Sequence, residues 1–364
     1  MISPILLRSR SIRPLLPAGR SSVTRLTSFG VGAALLTAAL VGCQASAPPQ
    51  AQSPRPLLAR DAPSDGEIPA ENLRGASGGG DYDEGVAALD DGNIDGAMAV
   101  YTRMHDRDPK DGAAPALLGL IREKAGDTPE AEKAYVEAIR MHAGLEGPYI
   151  HLSALLLGEK RYPDALRVAR AGIAQFSSNP ALHGNAGVAL AMTGDAAGAK
   201  TELDEAAREA PDDPMRLVTF GHWLGVWKQD DAAVAKLRAA RGLAKEPGVL
   251  VAVGREMKAI GAFADCVLTF DRALSIRDTP ELRTHRAVCK WGAKDKEGAK
   301  ADLQAALNAG YAPAHFYLAR FDSDDGDWKG AVSEYQSFLK LEPTVPAAKE
   351  ARERLRLAEA RARK

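Results

Sequence analysis

The chain has 364 residues, of which 45% are hydrophobic and 26% charged, with a formal net charge of −1 at pH 7 and 34 Gly, 22 Pro and 3 Cys. That balance is the one found in packed soluble proteins, and it excludes a collagen, a disulfide-dense mini-protein and a polytopic membrane protein. Near-neutrality argues against a bulk nucleic-acid binder, and three Cys cannot by themselves make a four-thiolate zinc site.

The charge is unevenly placed. Residues 1–42 hold five Arg (Arg8, Arg10, Arg13, Arg20 and Arg25) and no Lys, Asp or Glu, a net of +5 that leaves −6 for the remainder. An apolar run from Phe29 to Gly42 follows, ending in Leu40-Val41-Gly42-Cys43. It is shorter than the ~20 apolar residues that span a bilayer. A cationic, acid-free start before such a run is the pattern of an export signal. The run's end resembles the bacterial lipobox, which implies a signal peptide over 1–42, lipidation (palmitate included) at Cys43 and anchoring in the cell envelope. Gln44 in place of Asp implies, on the same resemblance, the outer membrane facing the periplasm. A mitochondrial transit peptide would suit the Arg/Ser-rich first 28 residues but would not need an apolar run ending in Cys, and an uncleaved signal anchor is disfavoured by length. The cationic stretch is long for a signal, and a start nearer Val23 would leave one of ordinary length.

Residues 43–77 carry the anchor Cys and then a stretch rich in Pro, Ala, Ser and Gln without helical or strand period, which reads as a flexible linker. Its mean reach is about 30 Å as a flexible chain, and roughly 110 Å fully stretched. The glycines between Gly75 and Asp81 follow no strand, so they end a linker rather than cradle a phosphate.

From residue 78 the sequence repeats. A small residue recurs at Ala97, Ala131, Ala165, Ala199, Ala233, Cys266, Ala299 and Ala331, at spacings of 34, 34, 34, 34, 33, 33 and 32. Four residues after each stands a larger one in most units: Tyr101, Tyr135, Ala169, Leu203, Leu237, Phe270, Leu303 and Tyr335. Twelve before each stands a small one: Gly85, Gly119, Ser153, Gly187, Gly221, Gly254, Ala287 and Ala319. Prolines recur between units at Pro109, Pro180, Pro211, Pro247, Pro280 and Pro343. Apolar residues at 3- and 4-residue spacing on both sides of a Gly/Asp turn predict two amphipathic helices, A and B, in every unit. The small columns allow A and B to cross closely, and the larger column is expected to fill space toward the neighbouring unit. This pattern resembles the tetratricopeptide repeat. It implies an all-α, right-handed α-solenoid of about eight helix-turn-helix units over 78–343, in which stacking buries a continuous core. Residues 344–364 read as a capping helix whose last 16 residues hold seven basic and three acidic side chains.

Two units depart from the pattern: repeat 3 through Ser153, Ala169 and Gly172, and repeat 7 through Arg286 where a leucine is usual. Both are candidate weak points or sites of altered curvature.

Chemistry-bearing motifs are lacking. The sequence contains no His-Glu-x-x-His, phosphate loop, GxSxG elbow or paired CxxC, and its seven His fall at different phases of the repeat. No enzyme activity, metal, cofactor, small-molecule substrate or nucleic acid is expected. Cys266 lies in the core column and Cys289 in the next helix A; they read as buried thiols, or as a disulfide in an oxidising envelope.

The resemblance implies that protein segments bind along the inner face of the A helices. Carried onto this sequence, that face takes Tyr82 (with Asp83), Leu117 and Lys124 (with Leu120), His151 (with Ile150), Asn185 and Met192 (with Val188) and His222 (with Thr219). Toward the C-terminus it takes Arg255, Lys258, His285, Trp291, Phe316, Tyr317 and Arg320. The Lys/Asn, Asn, Lys/Arg set that grips chaperone tails in this family is not present. Trp291, Phe316, Tyr317 and Arg320 are the expected anchors, because aromatic residues and Arg dominate interface energetics. The expected function is a lipid-anchored scaffold for envelope proteins in an outer-membrane, secretion, pilus or motility assembly. The alternatives are an adaptor regulating a cell-wall enzyme and a non-catalytic subunit of an enzyme complex.

Overall fold

The computed structural model describes residues 80–141 and 144–363. The signal over 1–42, the anchor Cys43 and the linker to residue 77 lie outside the described residues. Within them every regular element is an α-helix, and the helices fall into eight consecutive pairs. Numbering them in chain order, α1 (Gly80–Asp90) and α2 (Ile94–Arg107) form unit 1, followed by α3 (Ala113–Lys124) and α4 (Thr128–Arg140) in unit 2. Next come α5 (Gly147–Gly158) with α6 (Tyr162–Gln175), α7 (Pro180–Thr193) with α8 (Ala196–Glu209), and α9 (Pro214–Val226) with α10 (Asp230–Leu243). Units 6 to 8 are α11 (Pro247–Ala259) with α12 (Phe263–Ile276), α13 (Pro280–Gly292) with α14 (Lys296–Asn308), and α15 (Pro313–Asp325) with α16 (Trp328–Leu341). A final helix, α17 (Ala347–Ala362), packs on α16 and closes the stack. None of the described helices is long and apolar enough to cross a membrane.

Each A–B turn contains one left-handed residue, followed in units 1, 4, 7 and 8 by a side-chain cap. The left-handed residues are Gly92, Gly126, Lys160, Gly194, Lys228, Gly261, Lys294 and Gly326, one per unit. Glycine adopts this conformation without steric cost, whereas the three lysines must carry it against their Cβ. The caps close the start of helix B: Asn93, Asp195, Asp295 and Asp327 accept hydrogen bonds from the backbone N–H of Gly96, Gly198, Gly298 and Gly330, each at 2.9 Å. Pro180, Pro247 and Pro280 stand first in their A helices, where the missing N–H is not needed, so they start the next helix as well as stopping the last.

The large column meets the small column within the same unit. A Cβ added to Gly119 would lie 2.3 Å from the Tyr135 ring, and one on Gly254 2.4 Å from Phe270. Gly187 and Gly221 face Leu203 and Leu237 in the same way. In units 2, 4, 5 and 6 the large residues therefore seal the A–B crossing instead of filling the gap to the next unit as the column pattern suggested, while Gly85 of unit 1 meets Leu117 of the next unit.

Neither departing unit leaves a gap. In unit 3 the buried Ser153 hydroxyl donates to the Ile150 carbonyl at 3.0 Å, and Gly172 makes room for Leu182 and Tyr149. In unit 7 Arg286 replaces apolar packing with ions: its guanidinium reaches Asp302 at 2.6 and 2.8 Å and Asp271 at 2.7 Å, and Lys290 joins Asp302 at 2.9 Å. Cys266 of α12 and Cys289 of α13, both wholly buried, are joined in a disulfide that ties unit 6 to unit 7.

Candidate functional site

Stacking places A helices of successive units side by side: α1 on α3, α5 on α7, α9 on α11 and α13 on α15. Their shared face is the candidate binding surface, and its polar side chains behave differently along its length.

In units 3 to 5 His151, Asn185 and His222 bind neighbouring helices, whereas Asp83 of unit 1 and Lys124 of unit 2 are exposed and unpaired. His151 lies 3.0 Å from the Glu123 carboxylate of the preceding A helix and stacks on Tyr135, whose hydroxyl donates to the same carboxylate oxygen at 2.6 Å. Burial pushes the Glu123 carboxyl up, but the hydrogen bonds from His151 and Tyr135 outweigh it and hold it below its ordinary range. Asn185 is buried, and its amide donates to the Ile150 carbonyl at 3.1 Å and the Ser153 hydroxyl at 2.8 Å. His222 pairs with Glu256 at 2.8 Å, a carboxylate only 4% exposed, and meets Trp223 edge-on. Tyr82 is half-buried, its hydroxyl pushed up to about 12 by burial, and it reaches from unit 1 toward the start of α5 at Gly147. Leu117 lies wholly in the core against Gly85, Ile150 is buried, and Leu120 and Val188 are half-buried. The Thr219 hydroxyl bonds back to the Met215 carbonyl of its own helix. Of the expected residues in this stretch, only Asp83, Lys124 and Met192 are exposed.

In units 6 to 8 the arrangement changes. Arg255 and Lys258 stand one turn apart on α11, both exposed, and Arg320 is exposed on α15. No ion pair or hydrogen bond joins any of the three to another described residue. Burial lowers the Lys258 ammonium from its ordinary value, and the charges of Arg255 and Arg320 lower it further. His285 of α13 lies between them in sequence, stacked on Phe270 with ring centroids 5.3 Å apart. Its imidazole is lowered by burial, raised by Glu281 at 3.9 Å, and lowered by Lys258 and Arg255. Tyr317 and Tyr311 flank this wall, each half-buried and close enough for Tyr317 to raise the Tyr311 hydroxyl after burial and Glu281 have done so.

Two of the four expected anchors are taken up by ring packing within the stack. Phe316 is buried against Tyr335 and Phe338, at centroid distances of 6.0 and 5.5 Å. Trp291 stacks flat on Phe321 at 4.1 Å with an interplanar angle of 2°, and Lys296 and Lys300 lie over its ring. Both are engaged in packing between helices. Tyr311, Glu123 and Glu256 were missed by the column reasoning. The two glutamates carry a readable signal, since each belongs to an A helix and sits near an A-helix His one unit away. Among the described residues no group of three or more His, Cys, Asp or Glu stands close enough to hold a metal ion.

Residues 156–216 match the family described as tetratricopeptide repeat. Among solved structures the chain is similar to yeast Tom70, with a TM-score of 0.51 and 14% identity over 80% of this chain and 66% of that one. It also aligns with the C-terminal part of a TPR repeat-containing protein from Cytophaga hutchinsonii, with a TM-score of 0.48 and 14% identity over 65% of this chain and 98% of that one. A tetratricopeptide repeat protein from Parabacteroides merdae aligns with a TM-score of 0.46 and 15% identity over 64% and 94%. No curated protein shows significant similarity to the chain. At these identities the likeness is one of fold: a tetratricopeptide-repeat solenoid.

Proposed function

We propose that this tetratricopeptide-repeat solenoid is a scaffold that takes protein segments along the inner face of its A helices, chiefly in units 6 to 8. The observation that carries the reading is the contrast on that face: His151, Asn185 and His222 of units 3 to 5 are bound to their neighbours, while Arg255, Lys258 and Arg320 are exposed and unpaired. Side chains without internal partners are the ones a ligand can engage without first breaking the fold.

The scaffold is further proposed to sit in a bacterial envelope, lipidated on Cys43, tethered by residues 44–77 and serving an outer-membrane, secretion, pilus or motility assembly. Support for the tether comes from the sequence alone: a cationic, acid-free start, an apolar run and a Cys at its end. Labelling with a palmitate analogue tests it directly, and labelling that persists in Cys43→Ala would overturn the anchor. For the binding face, a photo-cross-linking residue at Tyr317 is compared with one at Arg170, which is exposed on helix B of unit 3. The expected result is partner protein joined to position 317 and not to position 170. Equal yields, or none at 317, would place binding elsewhere.

A further inference from the structure

The described stack begins with α1 and ends with α17, and the uncovered faces of these two helices carry opposite charge. Residues 75–102 hold six acids (Asp81, Asp83, Glu84, Asp90, Asp91 and Asp95) and no Lys or Arg, whereas the last 16 residues hold seven basic and three acidic side chains. On α1, Asp81 and Glu84 are used internally, by Arg103 and Arg107 of α2. Asp83 and Asp90 are exposed, and their side chains form no ion pair or hydrogen bond with another described residue. They stand seven residues apart with the exposed Ala87 between them, which puts all three on one face of the helix.

On α17 the same spacing recurs with the opposite sign. Lys349, Arg356 and Arg363 follow one another every seven residues and so form one stripe. All three are exposed, and none meets a carboxylate of the chain. Glu350 is bound to Arg354 at 2.6 Å, and Glu353 and Glu359 lie beside the stripe without pairing to it. Next to Arg356, Leu357 is 55% exposed. Helix stability does not account for all of these charges. Asp90 is the last residue of α1 and Lys349 stands in the first turn of α17, where each opposes the helix macrodipole.

We infer that this chain binds further copies of itself end to end, the acidic face of α1 in one copy meeting the cationic stripe of α17 in the next. The shared spacing sets two acids and successive cations at the same interval of about 10 Å, so one setting of the two helices brings two ion pairs into register. Ala87 and Leu357 supply apolar surface beside them. The two faces differ, so the contact is heterologous: every copy that joins leaves one acidic and one cationic end open, and assembly continues past a pair. Exposed ion pairs are individually weak, so the association is weak and salt reverses it. Joined ends would repeat the inner face along the assembly, which raises avidity for a partner with several segments. The inference goes beyond the segment-binding reading and does not depend on it.

The test is sedimentation velocity on the full chain in a non-ionic detergent, read as chains per particle. At low salt the number should climb past two as concentration rises, and it should return to one at about 0.5 M NaCl, where ionic contacts are screened. Asp83→Asn with Asp90→Asn removes the acidic end, and Lys349→Gln with Arg356→Gln and Arg363→Gln removes the cationic one. Each variant alone should stay monomeric with helical circular dichroism unchanged. Mixed in equal amounts, the two should form pairs and nothing larger, because only one complete contact is available between them. The control Arg170→Gln should assemble as the unaltered chain does. A chain that stays monomeric at low salt overturns the inference, and so does assembly that both variants retain or that salt leaves untouched. If either variant alone still forms pairs, like ends are in contact and the end-to-end arrangement falls. Binding of a monomeric chain to phosphatidylglycerol vesicles, lost in the cation variant, would assign the α17 stripe to lipid and overturn self-assembly. None of these outcomes touches the cross-linking at Tyr317, which decides the inner face by itself.

Discussion

The inner face joins two regions built from the same helix A but held together by different means. In units 3 to 5 the side chains pointing to the groove are themselves the cross-links, as Asn185 to unit 3 and His222 to unit 6 show. In units 6 to 8 the cross-links lie away from that row, in the Cys266–Cys289 disulfide and the Arg286–Asp271 ion pair. Moving cohesion out of the groove leaves its cations free. A groove side chain that finds a partner on the next helix serves the stack, and one that finds none is available to a ligand.

The largest expected effect tests whether the C-terminal region depends on its covalent tie. The disulfide closes a loop with a sequence separation of 23, and the chain-entropy account puts a loop of that size at about 3 kcal/mol. Reduction, or the pair Cys266→Ala and Cys289→Ala, should lower the stability of units 6 and 7 by up to that amount. Urea unfolding with and without reductant measures it, with little change expected in hydrogen exchange of α7. In the central region, Asn185→Ala should cost about 2 kcal/mol, because the Ile150 carbonyl and the Ser153 hydroxyl lose a buried partner. A loss below about 0.5 kcal/mol there would remove the central half of the comparison.

The repeat itself was legible because its columns are steric: Gly119 and Gly254 must be small for Tyr135 and Phe270 to reach them. The turn column was half-legible. Its left-handed residue is announced by Gly in units 1, 2, 4, 6 and 8, but it is hidden where Lys160, Lys228 and Lys294 take the same conformation. The site was legible in place and not in membership. Trp291 and Phe316 have the residue type of an anchor, yet the rings that engage them, Phe321 and Tyr335, come from other helices. The freedom of Arg255, Lys258 and Arg320 is a three-dimensional property, set by where every Asp and Glu within reach points, and no column records it.

A smaller effect separates the regions by the sign of their response to pH. For His183 in α7, burial alone would lower the imidazole, but the Ser177 carbonyl and Glu202 outweigh it and raise it above its ordinary value. The fold then favours the protonated form, so this contribution is complete below about pH 6.5 and fades as pH rises through the raised value. His285 in α13 is lowered, by burial and then by Lys258 and Arg255 against Glu281. Its penalty appears as pH falls below about 6.5, where the unfolded chain takes up the proton first. Going from pH 8 to pH 6 should therefore raise hydrogen-exchange protection in α7 and lower it in α13, after correction for intrinsic exchange.

The smallest effect is the most discriminating. Burial, and then the charges of Arg255 and Arg320, lower the Lys258 ammonium with no carboxylate to offset them, so its charge works against the fold. The residue as a whole is open to water, which screens much of that repulsion and keeps the cost to a few tenths of a kcal/mol. Lys258→Gln should accordingly leave stability unchanged or raise it slightly, within about 0.5 kcal/mol, while weakening capture of the partner cross-linked at Tyr317. Asn185→Ala should do the reverse, costing stability and leaving partner capture per folded molecule intact. If Lys258→Gln instead cost 1 kcal/mol or more in urea unfolding, the ammonium would be a structural partner like Asn185. The two halves of the inner face would then no longer differ in kind.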